Sequence, residues 1–111
     1  MYYILDKDHN PVKIEDFNQW ATEMQTIKRV GIDEVKDTTV STVFLGLDHS
    51  FGVTDKPVLF ETMTFGSNPD FSEFQWRYDS WDKAVKGHQE IVKQIKAGIP
   101  INQRRTFKMK F

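Results

Sequence analysis

Three consecutive runs decide what this chain can fold into. TTVSTVFLGL (38–47), VLFETMTF (58–65) and EFQWRYD (73–79) are rich in β-branched and aromatic residues and are separated by turn-forming stretches. That pattern marks neighbouring strands joined by short connections. In the third run Phe74, Trp76 and Tyr78 alternate with Gln75, Arg77 and Asp79, the period of a half-buried strand. The period then changes. Ser80 is a good helix N-cap, and Trp81, Ala84, Val85, His88, Ile91, Val92 and Ile95 keep helical spacing until Gly98 and Pro100.

Upstream, Tyr2 to Leu5 reads as a short strand closed by the polar turn Asp6 to Pro11. Phe17, Trp20, Ala21, Met24 and Ile27 form one apolar helical stripe, with Glu15 and Asp16 at its favourable end. Val30 to Val35 is a strand turning at Lys36-Asp37, and 48–57 is a loop. The tail RRTFKMKF alternates Phe107, Met109 and Phe111, as a last edge strand or an arm reaching a partner. The expected order is β-α-β-β-β-β-α-β: one α+β domain over residues 1–111. It would hold an antiparallel sheet of about five or six strands, with both helices covering one face. A chain of 111 residues suits one core, and its nine Phe, three Trp and three Tyr supply large buried area.

Cysteine is absent, which removes disulfides, thiolate catalysis and thiolate-bound zinc, and fits the cytoplasm. No apolar run approaches the length of a membrane-spanning helix, and the N-terminus lacks a signal-peptide pattern. A net charge of −1 hides an asymmetry. Residues 1–79 carry 14 acids against 7 bases, net −7, and residues 80–111 carry 2 acids against 8 bases, net +6. Opposite ends of this kind, with strand edges to cover, lead us to expect a homodimer.

The candidate site residues are polar groups in apolar settings. Glu61 shares a strand face with Leu59, Met63 and Phe65, and hairpin pairing makes Arg77 its partner. The pair is either structural or a polar anchor for a ligand. His88 lies in the apolar stripe of the second helix beside Gly87, whose cost inside a helix implies close backbone approach. Asp48 and His49 end a strand and open a loop. Asp48, His49, Glu61 and His88 are the groups a small hydrolase or an oxygen/nitrogen metal site would use, but no HExxH, EF-hand, P-loop or nucleophile-elbow pattern accompanies them. A triad can be written from Ser50, His88 and Asp48 without such an elbow. Neither metal nor cofactor is therefore expected. Arg104 and Arg105, with Lys108, Lys110 and the tail phenylalanines, suit a small anionic ligand such as a nucleotide. The acidic body argues against a long nucleic acid.

STVFLGLDHSFG (41–52), PVLFETMTFG (57–66) and RYDSWDKAVKGH (77–88) resemble a family of short bacteriophage and prophage proteins. That family carries LGLDHxFG and LFETMxFG strands and an RYxTWxxAxxGH junction; Ser80 stands where it often has Thr. The resemblance covers about half the chain and does not include the tail from Ile99 onward. It implies a phage-encoded, non-catalytic binder that counters or modulates a host system, by blocking a host protein or sequestering a signalling ligand. A small hydrolase and a phage structural or assembly protein are the alternatives.

Overall fold

Lys36 and Asp37 both adopt left-handed backbone (φ 50° and 64°), the requirement of a two-residue type I′ hairpin turn. They join β3 (Arg29–Val35) to β4 (Thr38–Phe44), the first hairpin of a four-stranded sheet. The computed structural model describes residues 2–26, 28–50 and 55–101. β5 (Phe60–Gly66) and β6 (Gln75–Tyr78) complete this sheet, antiparallel throughout and in chain order β3-β4-β5-β6. The three runs that dominate the sequence thus form β4, β5 and β6.

One helix covers one face of that sheet. α2 (Trp81–Lys96) starts at Ser80, whose hydroxyl accepts from the Lys83 amide at 3.1 Å. It buries Ala84, Gly87, His88, Ile91 and Ile95 and leaves Lys83, Lys86, Lys93 and Lys96 exposed, as its periodicity requires. The core beneath it joins Val40, Phe44, Phe60, Trp76 and Tyr78 to Ala84, Ile91 and Ile95. Gly87 is where helix and sheet come closest. A Cβ there would lie 2.4 Å from the Tyr78 ring, so only glycine admits this approach.

The N-terminal segment departs from expectation in three ways. Pro11–Ile14 is a strand, β2, pairing antiparallel with β1 (Tyr2–Leu5) in a separate two-stranded sheet. Pro11 can open a strand at an edge, where no ladder donor is needed, so the turn is shorter than the sequence suggests. Secondly, α1 (Phe17–Glu23) does not lie beside α2. It packs on β1 through Tyr2 against Phe17 and Trp20, and reaches the segment just after β4 at Gly46, whose carbonyl accepts from Trp20 Nε1 and the Tyr3 amide. Gly46 has φ 78°, and a Cβ there would meet Met24 at 2.8 Å. Thirdly, α1 ends at Glu23 with Met24 as its C-cap, so the expected stripe is shorter, and its last member, Ile27, lies outside the described residues. The expected last strand, 104–111, also lies outside them. No helix among the described residues is long and apolar enough to cross a membrane.

Candidate functional site

The face of the sheet under α2 is threonine-rich. Thr38, Thr42, Thr62 and Thr64 are fully buried there, so their hydroxyls need partners. Thr42 and Thr62 sit opposite each other on β4 and β5 and bond through their hydroxyls. Thr62 Oγ1 accepts from the Tyr78 hydroxyl at 3.0 Å, and Thr42 Oγ1 lies 2.7 Å from His88 Nδ1. His88 Nε2 lies 2.7 Å from Asp33 Oδ2. With Asp33 as a carboxylate acceptor, Nε2 carries the imidazole proton and Nδ1 accepts from Thr42. Each proton then has one acceptor along Tyr78, Thr62, Thr42 and His88, ending at Asp33. Burial pushes the Tyr78 hydroxyl up to about 12, partly opposed by its bond to Thr62, so it stays protonated and donates.

Asp33, His88 and Thr42 have the connectivity of an acid–base–nucleophile triad. Thr42, however, is 0% exposed, so a substrate carbonyl has no approach to its oxygen while α2 is in place. The chain satisfies a polar interior.

The other expected residues are dispersed. Glu61 pairs with Arg77 in register, with Arg77 Nε donating to Glu61 Oε2 at 3.1 Å. They lie on the sheet face opposite α2, since Glu61 alternates with the buried Phe60 and Thr62. Met63 and Phe65 share that outer face, as expected, but Leu59, just outside the strand, is fully buried. Asp48 accepts from the Ser50 amide and hydroxyl and from the Val58 amide, which pins the loop after β4. Burial raises its carboxyl, but those donors outweigh it and hold the group below its ordinary 3.8. His49 Nδ1 donates to the Leu47 carbonyl at 2.8 Å. The fold therefore leaves Asp48, His49, Glu61 and His88 in three separate settings. Among the described residues no cluster of three or more His, Asp or Glu could hold a metal. Arg104 and Arg105 lie outside the described residues.

The structure brings together a different set. Where the β1–β2 turn meets the start of α2, Leu5, Asp6, His9, Lys28, Arg29 and Trp81 line a cleft of about 320 Å³. Asp6 builds the turn by accepting from the Asp8 and Asn10 amides at 2.8 and 2.9 Å. The Asn10 amide leads in holding its carboxyl below the ordinary range, against a smaller opposing effect of burial. His9 has φ 65°, a left-handed conformation that histidine enters more readily than most residues. Its imidazole stacks on the Trp81 indole at 3.8 Å between centroids and 7° between planes. Neither Lys28 nor Arg29 has a carboxylate partner among the described residues; Arg29 spends one donor on Ser41 Oγ. Trp81 was legible only as a core helix residue, and nothing in the linear spacing joins His9 or Lys28 to it. Comparison of the chain with protein-family models, curated proteins and solved structures finds no match.

Proposed function

We propose that this chain is a phage-encoded, non-catalytic binding protein that modulates a host system by sequestering a small anionic ligand in the cleft between the β1–β2 turn and α2. One observation carries the reading: Lys28 and Arg29, two cations without carboxylate partners among the described residues, line the same cleft as a parallel aromatic pair. Unpaired cations at a concave surface are ready partners for phosphate or carboxylate, and arginine adds a fork that fits either. At about 320 Å³ the cleft falls at the small end of ligand-site volumes. Asp6 lowers the local positive charge but offers an acceptor to a ligand hydroxyl or amine. The groups that a hydrolase would need support the same reading, since Asp48, His88 and Glu61 are each committed to structural bonds. The phage setting comes from the resemblance of the β4, β5 and β6–α2 segments.

The test is calorimetric titration of inorganic tripolyphosphate and of a nucleotide panel, followed by chromatography of the recovered ligand. Saturable, salt-sensitive binding with the ligand recovered intact is expected. Turnover would make the protein an enzyme, and failure of every anion to bind would remove the capture reading. A second reading, blockade of a host protein, is favoured by Ile32 and Phe65, which are 52% and 47% exposed on sheet strands. Exposed apolar groups on a sheet suit a protein partner or a second copy of this chain.

A further inference from the structure

We infer that the cleft takes a nucleotide, a planar heteroaromatic base carrying phosphate, and that His9 occupies the base position until the ligand displaces it. The inference rests on the capture reading above and names the ligand class. Its starting point is the ring contact. An imidazole lying 3.8 Å from the Trp81 indole and within 7° of parallel is itself a small nitrogen heterocycle on an aromatic platform. Trp81 is braced for this. Phe60, fully buried on β5, meets it edge-on at 82°, which fixes the plane that His9 covers. Any flat base has a π-face that can use the same platform.

His9 is suited to leave. Among the described residues its ring nitrogens have no hydrogen-bond partner, so the stack on Trp81 and an electrostatic contact with the Asp6 carboxylate hold the imidazole. Its backbone is in the left-handed region at the tip of an exposed turn, while Asp6 keeps the turn itself in place through the Asp8 and Asn10 amides. The side chain can therefore swing without unmaking the hairpin. A base stacked on Trp81 would put its phosphate in the same cleft as Lys28 and Arg29, and leave the Asp6 carboxylate to accept from a ribose hydroxyl or an exocyclic amine.

The contrast with His88 shows what a committed histidine looks like here. Both nitrogens of His88 are bonded, at 2.7 Å each, to the buried Thr42 on one side and to the half-exposed Asp33 on the other. His9 has its stack and the field of Asp6, but no side-chain hydrogen bond among the described residues.

The experiment compares nucleoside triphosphates with inorganic tripolyphosphate, matched in phosphate chain, on wild type and His9→Gly. Glycine suits the turn at φ 65° and removes the ring. Nucleotides should bind wild type about tenfold more tightly than tripolyphosphate, the gain from one base on an aromatic ring. His9→Gly should bind nucleotides several-fold more tightly still, with tripolyphosphate unchanged. By NMR the His9 ring protons, shielded by the indole, should move downfield as nucleotide is added. Equal binding of tripolyphosphate and nucleotides would overturn the base assignment and leave anion capture standing. Weaker nucleotide binding by His9→Gly would show that His9 helps hold the ligand, which overturns the displacement. No binding of either probe would end the capture reading itself. Trp81→Leu should abolish the nucleotide preference; His9→Gly decides the matter if that variant does not fold.

Discussion

His88 and His9 occupy opposite regimes of one small fold. His88 is sealed between α2 and the sheet, where Thr42 and Asp33 take both of its nitrogens and the chain continues through Thr62 to Tyr78. His9 stands on an exposed turn and touches the rest of the protein through the face of Trp81. The difference separates two uses of polar chemistry. Beneath the helix an unpaired polar group costs about 1–3 kcal/mol, and among the described residues the threonine and Tyr78 hydroxyls are all drawn into bonds, although the buried Trp76 indole N–H has no partner. At the junction of turn and helix water can satisfy such groups, and we propose that Lys28 and Arg29 offer their remaining bonding capacity to a ligand there.

The sharpest way to break this contrast is to open the covered region. His88→Ala removes packing and leaves Thr42 and Asp33 without their partner, so a loss of about 3 kcal/mol is expected in urea unfolding. A loss below about 1 kcal/mol would mean that the buried chain does not hold the helix to the sheet. Gly87→Ala should come next. Alanine gains about 1 kcal/mol of helix propensity over glycine, but its Cβ would lie 2.4 Å from the Tyr78 ring. Overpacking of a tight core costs about 1–3 kcal/mol. A net loss of about 1 kcal/mol should appear, and a stabilised variant would show that the ring can yield.

The open face should respond more weakly. Arg77 keeps 32% of its side-chain surface and Glu61 12%, so water screens their bond. A double-mutant cycle on Glu61 and Arg77 should give a coupling of about 0.5–1 kcal/mol that shrinks in high salt. Coupling of several kcal/mol would mark a desolvated pair. The loop after β4 gives a smaller, pH-dependent effect. Folding lowers the Asp48 carboxyl below 3.8, so its contribution is fully present above that value and disappears as pH falls through the folded value. The stability gap between wild type and Asp48→Asn should therefore narrow in acid unfolding curves below about pH 3.8. A gap that stays constant would remove Asp48 as its source.

Local chemistry made much of the fold legible. β-branched runs located β4 and β5, aromatic alternation located β6, Ser80 announced α2, and the misplaced Gly87 signalled a close approach that Tyr78 now explains. The faces of β5 were harder to tell apart. FETMTFG carries apolar residues on both sides, and the buried side holds Thr62 and Thr64, which look polar until Tyr78, Thr42 and His88 are placed beside them. β2 was missed because PVKI is four residues long, and its strand character comes from pairing with β1. The Glu61–Arg77 pair was readable because hairpin register is local. The cleft was not, because His9, Lys28 and Trp81 come from separate elements joined only by tertiary packing.

The central claim is that Lys28 and Arg29 are reserved for a ligand rather than for the fold. Calorimetric titration of a nucleoside triphosphate into wild type and into the Lys28→Ser/Arg29→Ser variant tests it most directly, with urea unfolding of both proteins alongside. Removing the half-buried Lys28 and the exposed Arg29, neither with a carboxylate partner among the described residues, should change stability by no more than about 0.5 kcal/mol each. It should weaken binding at least tenfold, as loss of charge-assisted hydrogen bonds to phosphate requires. Equal affinity in the two proteins, or no saturable binding by wild type, would contradict the account.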